Sequence, residues 1–306
     1  MAFKEVTSGL RFPEGPVVMA DGSVIVVEIN SGDITRVLPD GKKQRIAHVG
    51  GGPNGAAIGP DGALYICNNG GFAWAEVQGV LLPGHQAEDY KGGSIQRVDI
   101  STGKVETLYT HCDGRMLSGP NDIVFDQTGG FWFTDHAKST ATHRVHGALY
   151  YAKPDGNHIS CQIHELHGPN GVGLSPDEKT VYYAETFSGR LFAAKIAKPG
   201  QLASAAGLLP GGTYVGQTPG YSLYDSLAVQ KNGHVCVATL LNSGISTISP
   251  KGKVKFTSLA KYKDPLVTNI AFGGKDMKTA WITVSGRGLL VKTPWPQAGL
   301  ELAFNA

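Results

Sequence analysis

Short runs of alternating apolar and polar residues, separated by glycine-rich turns, recur along the whole chain. The clearest example is Gly119–Asp126, which is followed by a Gly129-Gly130 turn and a second apolar run, Phe131–Asp135. Runs of period two with turn residues between them predict strands joined by tight turns. A helical solenoid would instead place its apolar residues about 3.6 positions apart.

This strand–turn–strand pattern occurs six times. Each copy starts with a turn segment and a polar residue that carries oxygen, and these residues are Glu14, Asn54, Asn121, Asn170, Asp225 and Asn269. Three or four strands in a repeat of roughly 40 to 50 residues are typical of a propeller blade. We predict an all-β fold, a six-bladed β-propeller with four-stranded antiparallel blades around a central channel. A sandwich or two smaller β domains are less favoured, because no linker divides residues 1–306.

Three segments make their repeats longer than the period, namely Gly70–Lys91, Ala137–His146 and Pro199–Tyr221. Insertions in a repeat fold form loops on one face, often the binding face. The two ends of the chain, Phe3–Gly9 and Leu300–Phe304, are both strand-like. We expect one or both to complete the last blade and close the ring, which removes an open sheet edge.

The six polar residues at the repeat starts are expected to converge at one mouth of the channel. Two carboxylates and four amides offer oxygen without sulfur or imidazole, which suits a hard divalent cation. Ca²⁺ is the first candidate, with Mg²⁺, Mn²⁺, Zn²⁺ and Fe²⁺ as alternatives. The carboxylates of Glu14 and Asp225 would balance its charge. For Asn54 and Asn269, a turn role is an equally good interpretation.

Strand ends and the insertions add candidates for substrate binding. The candidate set is Asn121, Asp135, His136, Glu185, Asn242 and Trp74. Other residues that could border or roof the pocket are Thr186, Phe187, Phe72, His85, Glu88 and Tyr90. A single histidine or tryptophan at such a place more often has a packing role.

Composition narrows the function classes. The formal net charge is +2 and no basic stripe is present, so nucleic acid is not an expected partner. Met1–Glu5 lacks the apolar segment of a signal peptide, and no apolar run is long enough to span a bilayer. We expect a cytoplasmic monomer or small homo-oligomer without a membrane partner. The four cysteines form no C-x-x-C pair, and Cys67 and Cys236 lie in apolar runs typical of buried strands.

At its repeat starts the chain resembles the regucalcin/gluconolactonase family of six-bladed propellers, relatives of diisopropylfluorophosphatase. The shared motifs are Glu14-Gly15-Pro16, Asn121-Asp122, Asn170-Gly171 with Ser175-Pro176-Asp177, Asp225-Ser226 and Phe272-Gly273-Gly274. The resemblance implies a catalytic divalent metal held by Glu14, Asn121, Asn170 and Asp225. It also implies a small-molecule substrate, a sugar lactone or similar small lactone, that is opened to the hydroxy acid.

In that interpretation Asp225 is the catalytic residue, as general base or as nucleophile. Regucalcin-like members carry an arginine that contacts sugar-like ligands two residues before the position of Asn121, where this chain has Gly119. Two alternatives are an organophosphate hydrolase that uses the same metal and a non-catalytic calcium-binding propeller. A scaffold needs no carboxylates at its centre, so Glu14 and Asp225 argue against the second. The sequence does not separate lactones from organophosphates.

Overall fold

Each repeat folds into one antiparallel sheet, and the six sheets are called blades 1 to 6 in chain order. The computed structural model describes residues 1–203 and 211–304. In every blade the first strand lies innermost and contacts the innermost strands of both neighbouring blades. The innermost strands therefore form a closed ring around a central channel. The predicted six-bladed propeller with four-stranded blades is confirmed, with one additional short strand in blade 4.

Every blade runs from an inner strand at the channel to an outer strand at the rim. In that order, blades 1 to 3 comprise Pro13–Val18, Val24–Glu28, Asp33–Val37 and Lys43–His48; Pro53–Ile58, Leu64–Asn68, Ser94–Val98 and Val105–Tyr109; and Pro120–Phe125, Phe131–Asp135, Gly147–Ala152 and Ile159–Leu166. Blades 4 to 6 comprise Pro169–Leu174, Thr180–Glu185 and Arg190–Lys198 with both Gln201–Leu202 and Thr213–Gly216; Leu223–Val229, Val235–Leu240, Gly244–Ile248 and Val254–Ser258; and Val267–Gly273, Thr279–Val284, Leu289–Pro294 and Lys4–Thr7. Outside the blades lie the hairpin Phe72–Val77/Val80–Gln86, the short pair His111–Cys112/Arg115–Met116 and a 3₁₀ turn at Ala260–Tyr262.

The apolar core lies between adjacent blades. Between blades 2 and 3, for example, Tyr65 packs edge-on against Phe125 with ring centroids 5.0 Å apart, and Phe131 contacts both rings. The second strand of each blade is covered on both faces, which explains its nearly continuous apolar sequence. Cys67 and Cys236 are fully buried, as the sequence predicted.

The two chain ends have different roles. Lys4–Thr7 is the outermost strand of blade 6 and pairs with its third strand, with Lys4 opposite Lys292. The N-terminal segment therefore closes the ring, as expected. Leu300–Phe304 forms no strand and instead lies across the end of the channel formed by the later residues of the inner strands. There Phe304 packs edge-on against Phe125, with ring centroids 5.8 Å apart.

Two of the three insertions cover the other end of the channel. Gly70–Lys91 contains the extra hairpin, and within Ala137–His146 Ser139 pairs with Arg144. The insertions contact each other where the Gln86 N–H donates to the Ser139 carbonyl at 3.2 Å. The third insertion, Pro199–Tyr221, was expected to form a loop on the same face. Its described strands instead extend the outer edge of blade 4, and residues 204–210 lie outside the described residues. In the described ranges, no helix has both the length and the apolar character needed to cross a membrane.

Candidate active site

All six inner strands carry an irregularity at the positions singled out from the sequence. The pairing of the first and second strands shifts register in every blade, as it does between Glu14 and Val17 and between Pro120 and Ile123. A bulge lets the chain turn side chains away from strict alternation. This is why the adjacent residues Asn121 and Asp122 both face the channel, one toward each end.

The glycine after several of these residues has a steric reason. A Cβ at Gly15 would lie 2.6 Å from the Asn54 carbonyl oxygen, and one at Gly171 would lie 2.5 Å from the Leu227 nitrogen. At these glycines the neighbouring inner strand therefore approaches too closely for a side chain. The Asn-Gly pattern thus combines a channel-facing amide with close strand packing.

The polar mouth of the channel is a cavity of about 410 Å³. Five of the six residues at the repeat starts line it, namely Glu14, Asn54, Asn121, Asn170 and Asp225. Asn269 does not. Its amide donates from Nδ2 to Glu14 Oε2 at 2.6 Å, and its Oδ1 accepts from the Ile270 N–H at 2.7 Å. Asn269 therefore orients Glu14 from behind.

Glu14 is the more deeply buried of the two carboxylates that line the cavity. Its Oε2 also accepts the Gly15 N–H at 2.7 Å. Burial raises the pKa of Glu14 to about 7, against the lowering effect of its hydrogen bonds to Asn269, Gly15 and Thr268. Transfer of a carboxylate out of water without a cation disfavours its charged form, which is the cause of this shift.

Asp225 is partly exposed to the cavity and otherwise surrounded by protein. Its Oδ1 accepts the Ser226 N–H at 3.1 Å, and the Asn170 amide also donates to the carboxylate. Burial, followed by the charges of Glu14 and of Asp122, raises the pKa of Asp225 well above its usual value. The two carboxylates therefore repel each other across the same small space.

A third carboxylate, Asp122, lies on the channel side of the same strand as Asn121. It accepts the Ile123 N–H at 3.0 Å and, from the next blade, the Val172 N–H at 3.3 Å. Burial and then the charge of Glu14 raise its pKa to about 8. The centre of the ring thus concentrates negative charge that no basic side chain compensates by an ion pair within residues 1–203 and 211–304.

These donors fit a divalent cation that prefers oxygen. The Oδ1 atom of Asn121 is buried and has no hydrogen-bond partner, which is costly for an amide oxygen unless a ligand uses it. Two nearby carboxylates with raised pKa would both ionise next to a cation. Across the described part of the chain, no three His, Cys, Asp or Glu side chains are grouped to hold a metal. A metal here would therefore depend on amide oxygens in addition to Glu14 and Asp225.

A chain of hydrogen bonds fixes the Asn170 amide. Its Nδ2 donates to Thr186 Oγ1 at 3.2 Å, and Thr186 Oγ1 lies 3.2 Å from His136 Nε2. Burial lowers the pKa of His136 to about 4, so its ring is neutral at neutral pH. His136 Nδ1 faces the Ala137 carbonyl at 3.4 Å and therefore carries the ring proton, which leaves Nε2 to accept from the Thr186 hydroxyl. Because Asn170 Nδ2 donates to Thr186, Asn170 Oδ1 points away from it.

The wall and roof of the cavity come from aromatic and cationic side chains. The aromatic residues are Phe12, Phe72 and Phe187, and the basic residues are His85, His136, Lys138 and Arg144. Phe72 and His85 belong to the first insertion, as the sequence suggested for a roof. Tyr90 instead donates to the Ser118 carbonyl at 2.6 Å and braces the base of this insertion.

The structure places four of the predicted substrate-binding residues away from the cavity wall. The Asp135 carboxylate accepts the backbone N–H groups of Ser118, Gly119 and Ala137 at 2.6–2.8 Å. Glu185 similarly accepts the His167 N–H and the Ser188 hydroxyl. Both acids therefore stabilise loops. Polar residues at strand ends satisfy loop backbone as readily as they bind ligands, and this is where the sequence interpretation differs from the structure.

The other two residues have different positions. Trp74 packs behind Phe12 with ring centroids 5.0 Å apart, so Phe12 rather than Trp74 faces the cavity. Asn242 is exposed beyond the end of its strand. Of the predicted set, Asn121 and His136 line the cavity.

Gly119 has no room for a longer residue. A Cβ there would lie 2.9 Å from the Ala137 carbonyl oxygen. Any cationic group that contacts a ligand in this cavity must therefore come from another element. The basic residues Lys138 and Arg144 of the second insertion were not singled out from the sequence, since an isolated lysine and arginine in a polar loop give no signal of burial or convergence.

Comparisons with known proteins agree with this architecture. Residues 12–286 match the family model described as "SMP-30/Gluconolactonase/LRE-like region". Lactonase drp35 of Staphylococcus aureus (strain bovine RF122 / ET3-1) is 32% identical over 174 residues, which cover 56% of this chain and 47% of that protein. Lactonase drp35 of Staphylococcus haemolyticus is 31% identical over 189 residues, 61% of this chain and 52% of that protein. The matched part thus spans about half the length of these curated relatives.

Solved structures share the fold at lower identity. A gluconolactonase from Xanthomonas campestris superposes with a TM-score of 0.73 at 20% identity, covering 96% of this chain and 89% of that one. A calcium-binding protein, regucalcin, from Agrobacterium tumefaciens gives a TM-score of 0.73 at 15% identity, covering 100% and 97%. With the family model matched over most of its length, the chain belongs to the SMP-30/gluconolactonase/LRE-like family.

Proposed function

We propose that the protein is a divalent-metal-dependent lactonase, which opens the ester bond of a sugar lactone or similar small lactone to the hydroxy acid. The observation that carries the proposal is the convergence of Glu14 and Asp225 on one cavity beside the unpartnered Asn121 Oδ1. Membership of the family and the lactonases among its relatives support the reaction class.

In this proposal Glu14, Asn121, Asn170 and Asp225 hold the ion, with Ca²⁺ as the first candidate because all four donors are oxygen atoms. When bound, a divalent cation supplies Lewis acidity at the lactone carbonyl. Asn269 and Thr268 hold Glu14 in place through their hydrogen bonds to its carboxylate. Thr186 and His136 hold the amide of Asn170.

Asp225 is proposed as the general base. The Ser226 N–H and the Asn170 amide orient its carboxylate, which would take a proton from the attacking water. The water oxygen then bonds to the carbonyl carbon, the ring C–O bond breaks, and the departing ring oxygen receives the proton that Asp225 took from the water. Direct attack by the same carboxylate is the competing role, and both roles require an ionised Asp225 at the cavity floor.

The cavity shape suits a small cyclic ester. Its volume of about 410 Å³ is at the small end of the usual range for ligand pockets. Phe12, Phe72 and Phe187 provide apolar wall area, while the amides of Asn54 and Asn121 provide hydrogen-bonding groups. A ring lying against these walls would have its ester next to Asp225.

The proposal is tested by a pH-stat screen of aldonolactones and simple γ- and δ-lactones, before and after treatment with EDTA. We expect proton release that exceeds spontaneous hydrolysis, disappears with EDTA and returns with CaCl₂. Turnover that persists after thorough chelation would overturn the proposed metal dependence. Turnover of phosphotriesters without turnover of any lactone would overturn the substrate class.

A further inference from the structure

The cavity wall carries positive charge that the structure does not neutralise. Lys138 and Arg144 both line the cavity and both come from the insertion Ala137–His146. Within residues 1–203 and 211–304, neither forms an ion pair. Glu14 and Asp225 are the carboxylates among the described lining residues, and they belong to the floor of the proposed metal site.

Arg144 is held in a defined orientation. Its guanidinium carbon lies 3.3 Å from the centroid of the Phe187 ring, and Phe187 in turn packs edge-on against His136 at 5.1 Å. Stacking fixes the plane of the guanidinium and leaves its N–H edge available. An arginine fork presented in this way matches the two oxygens of a carboxylate.

Lys138 adds a second cationic group deeper in the wall. The side chain is buried, and its Nζ donates to Asn69 Oδ1 at 2.9 Å and to the Gly71 carbonyl at 2.7 Å. Nζ also lies 3.5 Å from the centroid of the Phe72 ring. These direct partners are uncharged, so the amine, when it is protonated, adds positive charge beside the cavity that Asp135 offsets only in part.

The pKa values of Lys138 and His136 are consistent with positive charge in this part of the wall. Burial lowers the pKa of Lys138 to about 7, partly offset by Asp135. Burial, and then the charges of Lys138 and Arg144, lowers the pKa of His136 to about 4. An anion bound next to Arg144 would therefore be stabilised by the arginine directly and, at longer range, by the Lys138 amine when it is protonated.

We infer that the substrate carries a free carboxylate in addition to its lactone ester, as in the monolactone of an aldaric acid. The ester occupies the floor beside Asp225, and the carboxylate binds the guanidinium of Arg144. The inference depends on the proposed lactonase function for the reaction itself, but the anion site stands on Arg144, Phe187 and Lys138. A neutral aldonolactone would leave the fork of Arg144 unused.

The matched probes are D-glucaro-1,4-lactone and D-glucono-1,4-lactone, which differ at carbon 6 by a carboxylate in place of a hydroxymethyl group. We expect wild-type kcat/KM to favour the charged lactone. Arg144→Gln is expected to lower the charged-to-neutral ratio by about tenfold or more, mainly through KM, because one charge-assisted contact is lost. Arg144→Lys should recover part of the ratio, which a role in loop packing alone would not predict.

The matched control is Arg45→Gln, since Arg45 lies on the outermost strand of blade 1 with a side chain 68% exposed. This control should keep the wild-type ratio. An equal ratio in wild type and Arg144→Gln would overturn the anion site and leave the lactonase proposal intact.

A binding measurement decides the question without turnover. Calorimetry with D-glucuronate and D-glucose, which differ at carbon 6 by a carboxylate in place of a hydroxymethyl group, should show tighter binding of the anion to wild type, and the difference should vanish in Arg144→Gln. If neither lactone is opened but this difference is present, the reaction class is wrong and the anion site holds. If the two sugars bind equally to wild type, the anion site is wrong.

Discussion

The two ends of the channel are built from the same six inner strands but from opposite chemistry. At the mouth, the charge of Glu14 raises the pKa of Asp225, and Asn121 Oδ1 has no hydrogen-bond partner. At the other end, beyond Asp122, the strands present mainly apolar side chains, and Leu300–Phe304 covers them. One end retains polar groups that a ligand can satisfy, whereas the other is already satisfied by the chain itself. Binding and stability are therefore expected to be separable along the channel axis.

The innermost strand of blade 3 shows how the channel changes from polar to apolar along its length. In Pro120–Phe125, the register shift lies between Pro120 and Ile123, and regular pairing follows it. Within the shift Asn121 and Asp122 face the channel, and after it Ile123 and Phe125 join the core between blades 2 and 3. The bulge therefore marks the boundary between site and scaffold.

The largest effect is expected from Asp225→Asn. The substitution keeps the shape but removes the proposed proton acceptor and one of the two negative charges that would hold the metal. We expect kcat/KM for a lactone to fall roughly 10²–10⁴-fold with metal in excess. The measurement is pH-stat kinetics together with Ca²⁺ affinity from a competing chelator dye.

The control for this variant is Asn242→Ala, at an exposed position away from the cavity wall, which should keep wild-type kinetics. Activity of metal-replete Asp225→Asn within tenfold of wild type would exclude both the base and the nucleophile roles.

The sequence predicted the features that repeat. The ring and the inner position of the first strands follow from a pattern that occurs six times, and the one-per-repeat polar residues identified Glu14 and Asp225. The sequence also predicted that the insertion with Phe72, Trp74, His85, Glu88 and Tyr90 would roof the pocket, and of these Phe72 and His85 line the cavity. These features have one cause in common. Each depends on local turns and period-two alternation, which can be read from the order of the residues alone.

The features that do not repeat were not predictable in the same way. Asp135 and Glu185 are acids at strand ends, and nothing in their local sequence distinguishes a ligand from an acceptor of loop N–H groups. The burial of Lys138 depends on contacts with Asn69 and Gly71, which are distant in the chain. The C-terminal segment alternates like a strand, but Lys4–Thr7 already occupies the outer edge of blade 6.

The next effect in size concerns the orientation of Asn170. Thr186→Val keeps the side-chain shape but removes the hydroxyl between Asn170 and His136. Loss of a partner that orients a metal ligand typically lowers metal affinity 10–100-fold, and we expect a change in that range for Ca²⁺. Dye competition measures it, and Thr186→Ser should restore it. Wild-type Ca²⁺ affinity in Thr186→Val would show that Asn170 needs no such support.

A smaller effect is expected from pH on the chelated protein. The pKa values of Glu14 and Asp122 are raised to about 7 and about 8, whereas unfolded carboxyl groups titrate near pH 4. Between these values Glu14 and Asp122 hold more protons in the folded state than in the unfolded state, so their contribution to stability is greatest at the acidic side and falls as pH rises. The lowered pKa values of His136 and Lys138 act in the opposite direction and reduce the net change.

Thermal unfolding in EDTA should therefore give a lower Tm at pH 8.5 than at pH 5.5, by several degrees. CaCl₂ should recover more of the Tm at pH 8.5, where the carboxyl groups would ionise to bind it. Equal stabilisation by Ca²⁺ at both pH values would contradict the carboxylate site.

The smallest effect on the site is expected from the opposite end of the channel. Phe304→Ala removes the ring that packs against Phe125, and because Phe304 is only half-buried the cost should be about 1–3 kcal/mol, below that of a fully buried phenylalanine. Tm should fall by a few degrees, while Ca²⁺ affinity and kcat/KM stay within twofold of wild type. Leu302→Ala, on the same segment but half exposed, should change Tm much less. If Phe304→Ala instead weakens Ca²⁺ binding at a temperature where the protein is fully folded, the two ends are mechanically coupled through the inner strands, and the separation of binding from stability does not hold.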